Sequence, residues 1–278
     1  MIPIATSTSI RRTPMVNYAL IAMNVIVYLV LGGANAPGNA GSALTSLREQ
    51  GVLSGGDPQL YQFITYQFLH GDLAHIGFNM LFLWVFGNPV NAKMGDGPYL
   101  LFYLAGGVFA AVGYAWQNDV GMVGASGAIA AVTTAYLALF PRSYVTILYW
   151  WFFIGTFELP SMILILFKLV LFDNILATSL MGDSMVAYGA HLYGYAFGIT
   201  AAAGMLWLGV LPRDQFDIVA LWKRWIQRQS MRTVMASPDA QARAQFGRDS
   251  RPVTADEIVG EKFDELAGVG AHGTEPPS

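Results

Sequence analysis

Cysteine is absent from the 278 residues. This excludes disulfides, thiolate zinc sites and a thiol nucleophile, and it leaves the redox compartment open. Charge is scarce as well: Asp, Glu, Lys and Arg make up 12% of the chain, where a soluble domain carries about a quarter. The scarcity is uneven, because residues 1–210 hold six Lys/Arg and eight Asp/Glu whereas the remainder holds nine and ten. A net charge of -3 spread this thinly offers no basic face to nucleic acid and no acidic run to a cationic partner. What the chain has in quantity is apolar surface, 54% hydrophobic residues with a mean hydropathy of +0.45. The front is composed as a membrane domain and the tail is not.

A spanning helix needs about 20 mostly apolar residues. Runs at 15–33, 75–92, 99–116, 124–140, 160–177 and 186–210 predict six spans, with breaks at Pro98, Asn118-Asp119, Pro141-Arg142 and 173–183. The first run follows Arg11 and Arg12 and is followed by Ala34-Asn35-Ala36. It reads either as a retained span or as a secretory signal with a small-x-small cleavage site; its unbroken stretch over 15–31 is long for a signal core. The apolar stretch 144–159, with Tyr149, Trp150, Trp151, Phe152 and Phe153, reads as an interfacial approach to the fifth span, since Glu158-Leu159-Pro160 would break one helix there. Six spans place Arg11, Arg12, Lys93, Arg142, Arg213, Lys223, Arg224 and Arg228 on one side and Arg48 on the other, which makes both termini cytoplasmic.

The expected organisation is therefore all-α: a cytoplasmic segment 1–14, a six-helix membrane bundle 15–210 and a cytoplasmic tail 211–278. Within the tail, Phe216, Val219, Trp222, Trp225 and Ile226 alternate with Lys223, Arg224, Arg228 and Arg232, like a juxtamembrane helix lying on anionic lipid. Thr254 and Glu257 have capping-box spacing ahead of Val259, Phe263 and Leu266. A solvated, partly disordered tail fits the same composition.

Ionisable groups in apolar spans are costly and are functional candidates by default. His70 and His75 stand at the entrance to the second span and His191 lies early in the sixth; His272 is in the tail. Spans two, four and six run the same way, so His75, Asn79, Ser126 and His191 share one level in the outer leaflet. His75 and Asn79 are four apart and project from one helix side. His191 shares its stripe with Gly194 and Gly198, and Ser126, Ala130 and Thr133 form a comparable stripe of small residues, which let helix backbones approach in lipid. A serine hydroxyl becomes a competent nucleophile when a base within hydrogen-bond reach takes its proton, the role His191 would fill. Asn79, His75 and the Ser126 backbone N–H would supply donors for the oxyanion, while Gly124 and Gly127 would let substrate backbone approach.

At these residues the sequence resembles the rhomboid family of intramembrane serine proteases. The resemblance is carried by Phe68-Leu69-His70-Gly71-Asp72-Leu73-Ala74-His75-Ile76-Gly77-Phe78-Asn79-Met80, by Gly124-Ala125-Ser126-Gly127-Ala128, by Leu139-Phe140-Pro141-Arg142, and by Ala190-His191-Leu192-Tyr193-Gly194 with Gly198. It covers about 15–210 and leaves the tail outside. It implies a Ser126/His191 dyad with no acidic third member, an oxyanion site at His75 and Asn79, and support from His70. Substrates would be single transmembrane segments entering sideways near the fifth helix of a multi-pass protein of a bacterial inner membrane, with no metal or cofactor. The chain departs from the pattern in three places. Tyr61-Gln62 stands where many members have Trp-Arg. Ala130 stands where some place a tyrosine against the histidine, which leaves Tyr193 or Tyr195 to orient the imidazole. Lys168 is unusual within a gate helix.

Other intramembrane hydrolases lack their parts here. No histidine is followed by glutamate, as a His-Glu-x-x-His metalloprotease needs, and the carboxylates lie mostly in loops. A non-catalytic binder or translocator of transmembrane segments on the same fold, and a transporter with a polar pathway, are the rival readings from other classes.

Overall fold

The computed structural model describes residues 2–32, 43–116, 119–150, 153–167 and 185–235. The chain divides into two compact units, Met1–Ile218 and Val219–Ser278.

Helix α1 (Met15–Leu31) starts after Pro14 and closes at Gly32, whose φ of 73° suits only glycine well and whose N–H reaches the Tyr28 carbonyl. Short helices α2 (Ala43–Gly51) and α3 (Gln62–Thr65), the latter running into a 3₁₀ turn at Tyr66–Phe68, occupy the first long connection. Helix α4 (Leu73–Phe82) passes through a π-helical turn at Leu83–Gly87 into α5 (Asn88–Met94). Then follow α6 (Asp96–Ala115) and α7 (Ser126–Leu139). Leu73–Met94 and Asp96–Ala115 are long and apolar enough to cross a membrane, while α1 and α7 are apolar but shorter.

A π turn widens the helix and releases carbonyls from their usual partners. Here Asn17 of α1 answers it: its amide donates to the Leu83 carbonyl at 2.9 Å and to Asn88 Oδ1 at 2.8 Å, and Tyr99 of α6 donates to Asn17 Oδ1 at 2.6 Å. Asn91 Oδ1 accepts from the Asn17 backbone N–H, and Asn91 Nδ2 donates to Asp96, which also holds Arg12 at 3.0 Å. A β-carbon at Gly87 would sit 2.6 Å from the Tyr99 hydroxyl, so the missing side chain makes room for this network. Asn17 is fully buried, and hydrogen bonding is what makes such burial tolerable in an apolar bundle. The network binds α1 into the bundle.

The all-α expectation fails at the other end of α7. Strands β1 (Ile2–Thr6), β2 (Tyr144–Trp150) and β3 (Ile154–Pro160) form an antiparallel sheet in the order β1-β2-β3, pairing Ile2 with Leu148 and Tyr144 with Pro160. Thr146 and Ile147 are β-branched and sit among aromatics, a composition that suits a half-buried pleated surface. The segment 144–159, read from sequence as an interfacial approach to the fifth span, is mostly two paired strands. Hydroxyls fix its base: Thr8 Oγ1 to Tyr136 OH at 2.9 Å, Tyr136 OH to Ser143 Oγ at 2.8 Å and Ser143 Oγ to Ser161 Oγ at 2.9 Å. Helix α8 (Ser161–Leu166) departs from there. Lys168, Ala34-Asn35-Ala36, the tail residues Thr254, Glu257, Val259, Phe263 and Leu266, and His272 lie outside the described residues.

Helix α9 (Met185–Trp207) packs against both α6 and α7. Helix α10 (Ile218–Met235) carries the described part of the second unit.

Candidate active site

Asp72 begins the arrangement. It is extended at the N-cap of α4, and its carboxylate accepts the His75 backbone N–H at 2.8 Å, leaving the His75 ring to project from the first turn. His75 Nδ1 faces the Gly71 N–H at a long 3.5 Å. The opposite edge of the ring, Cε1 and Nε2, lies against Gly124, where a β-carbon would sit 2.9 Å from both atoms and 3.7 Å from Ser126 Oγ. Nε2 is thus the ring nitrogen on the Gly124 side.

Gly124 has a φ of 127°, a conformation that side chains resist, so glycine is required there by both backbone and space. The loop around it is fixed on two sides. Gly124 N–H donates to the Tyr66 carbonyl at 2.9 Å, and Met122 exchanges both backbone hydrogen bonds with Leu53. Tyr66 is itself held by its hydroxyl, which donates to the Gly107 carbonyl at 2.6 Å. Burial pushes that phenol well above its ordinary range, so it stays a donor. Ser126 is then the first residue of α7 and half-buried.

Across from α7, Gly194 of α9 lies on the Gly127 carbonyl and within 3.0 Å of Ala130 Cβ by its missing β-carbon, and Gly198 lies on the Ala131 carbonyl and Thr134 Oγ1. The turn that bears His191 therefore rests on the turn that bears Ser126. Thr134 Oγ1 adds a hydrogen bond to the Tyr195 carbonyl at 2.9 Å. His191 is half-buried and meets the Tyr195 ring edge-on at 6.5 Å between centroids. Of the two tyrosines open to that role from sequence, Tyr193 points elsewhere: its ring covers Gly113 and approaches Phe109 at 6.5 Å.

Asn79 sits one turn beyond His75, only 8% exposed, and its amide nitrogen has no partner among the described residues. His70 does not join the group around Ser126. It is 1% exposed and stands behind His75 at 5.2 Å between ring centroids.

Residues 57–208 match the family model described as the Rhomboid domain. The chain belongs to the rhomboid family. It is similar to the rhomboid protease GluP of Bacillus subtilis (strain 168), 30% identical over 46% of this chain and 26% of GluP. It is similar also to the rhomboid protease GlpG of Pectobacterium atrosepticum, 27% identical over 37% of this chain and 41% of the relative. The mitochondrial RHOMBOID-like protein 12 of Arabidopsis thaliana is 32% identical over 52% of this chain and 46% of its own. The chain thus spans less than half the length of each of these relatives. Gly124 thus lies between the His75 ring and Ser126, and Gly194 and Gly198 seat the helix that bears His191 on Gly127 and Ala131, with Asn79 one turn along α4 from His75 and His70 5.2 Å from the His75 ring. Sequence reasoning overlooked Thr134, Tyr66 and the cap at Asp72; a threonine inside an otherwise apolar run was the available signal for the first.

Proposed function

We propose that this chain is a serine endopeptidase that hydrolyses peptide bonds in or near the transmembrane segments of membrane-anchored proteins. Ser126 Oγ attacks the scissile carbonyl while His191 takes its proton; the C–N bond then breaks as His191 returns that proton to the leaving amine. Water, deprotonated by the same imidazole, hydrolyses the acyl-serine. The oxyanion would be met by His75 Nε2–H, the Asn79 amide and the Ser126 backbone N–H, aided by the positive end of α7. The observation that carries this reading is the seating of Gly194 on the Gly127 carbonyl, which brings the His191 turn onto the Ser126 turn. Asn79 supports it: a nearly buried amide donor without a partner is costly unless something accepts from it. The protease names of the bacterial relatives point the same way.

On this reading the bundle has six spans over 15–210 with both termini cytoplasmic, and α1 is a retained span, since Asn17 satisfies the π turn of the second. The test is fluorophosphonate labelling of the purified chain together with cleavage of a tagged transmembrane reporter. Both are expected in wild type and lost in Ser126→Ala and in His191→Ala. A folded wild type that neither labels nor cleaves overturns the proposal in favour of a non-catalytic binder of transmembrane segments.

A further inference from the structure

Helix α10 has no part in the chemistry above. It carries Lys223, Arg224, Arg228 and Arg232 and no carboxylate. Arg224, Arg228 and Arg232 recur every four residues and so form one stripe. Together with Gln227 and Met231 they border a single open concavity. Trp225 and, further round, Trp222 lie to one side of the stripe and are 58% and 56% exposed, while Val219 and Ser230, opposite the stripe, are buried. A helix with three arginines in a row, two exposed indoles beside them and nothing acidic is complementary to an anionic surface that also has an apolar layer.

We propose that this face of α10 docks on the bilayer, with the arginines holding the phosphate headgroups of anionic phospholipid and the indoles lying at the headgroup level. Indoles favour that depth, and clustered arginines pair bidentately with phosphate. Chain length permits it: Leu208–Asp217 is all that separates α9 from α10, a tether of at most about 35 Å. The competing occupant is the acidic stretch of the tail bearing Asp256, Glu257, Glu261, Asp264 and Glu265. Such a peptide would neutralise the arginines but brings only a few apolar side chains, Val259, Phe263 and Leu266 among them, to Trp222 and Trp225, whereas the bilayer offers phosphate and a continuous apolar layer together.

The absence of cysteine makes the test clean. The full chain bearing Gln229→Cys, nitroxide-labelled, is placed in nanodiscs of pure phosphatidylcholine or with about 30% phosphatidylglycerol, and the label's collision rates with oxygen and with a water-soluble nickel chelate are measured. Phosphatidylglycerol is expected to lower nickel access by roughly threefold, an effect reversed by about 0.5 M salt and by Arg224→Gln/Arg228→Gln/Arg232→Gln. Equal access in both discs overturns the proposal. So does protection in phosphatidylcholine alone that disappears when residues 236–278 are deleted, which would assign the face to the acidic tail. The readout is independent of proteolysis and stands or falls without Ser126.

Discussion

Thr134 and Tyr195 are joined across two helices: the threonine hydroxyl donates to the tyrosine carbonyl at 2.9 Å, one turn beyond His191. The adjacent Thr133 bonds back to Ile129 of its own helix at 2.7 Å. One hydroxyl therefore fastens α9 to α7 and its neighbour does not.

Thr134→Val keeps the shape and removes the bond. It is expected to cost about 0.6 kcal/mol, the average for hydrogen bonds between membrane helices, and at most about 1.7, and to reduce reporter cleavage. Thr134→Ser should restore both. Thermal unfolding in micelles and the cleavage rate check this, with Thr133→Val as a control that leaves the α7–α9 contact intact.

Gly198 lies on the Ala131 carbonyl and Gly204 has nothing within 4 Å of its missing β-carbon. Gly198→Ala must push the helices apart and should cost about 1 to 3 kcal/mol, as overpacking does. Gly204→Ala should be neutral or slightly stabilising. Comparing unfolding midpoints of the two variants tests whether the close approach, and not glycine as such, matters.

His70 is held neutral, its pKa lowered to about 4 first by burial and then by the neighbouring His75, against the opposing pull of the Phe68 carbonyl and Asp72. An unfolded imidazole titrates near 6.5. Between those values only the unfolded chain gains the proton, so stability is complete above about pH 6.5, falls on acidification and levels off near pH 4. The loss is on the order of 3 kcal/mol. Unfolding curves across this range should show a flatter acid limb in His70→Gln than in wild type.

The residues around Ser126 were legible because each signal was local. Asn79 follows His75 by one turn, Gly194 and Gly198 follow His191 at helical spacing, and helix geometry alone puts each set on one face. The sheet was not legible, because a strand is defined by its partner. Ser7 pairs with Tyr144 across 137 positions, and β1, interrupted by Pro3 and only five residues long, shows no alternation of its own. The aromatic run that opens with Tyr149 and Trp150 at the end of β2 carried an interfacial signal that masked the β-branched one. The packing stripe on α7 was read only in part for a similar reason: Ser126, Ala130 and Thr133 share only Ala130 with the residues that meet Gly194 and Gly198 of α9, Gly127, Ala130, Ala131 and Thr134, and only the partner helix decides between them.

The pairing of Thr6 with Val145 constrains insertion as well as folding. Backbone hydrogen bonds cannot be shared through a hydrocarbon layer, so on the proposed six-span reading these two residues must emerge on one side, with an even number of crossings between them. On the same reading, a polypeptide that skipped or inverted a single early helix would strand β1 on the wrong side, leaving β2 and β3 without their third strand. On that reading the sheet closes only once α7 is in place, because β2 follows α7 in the chain.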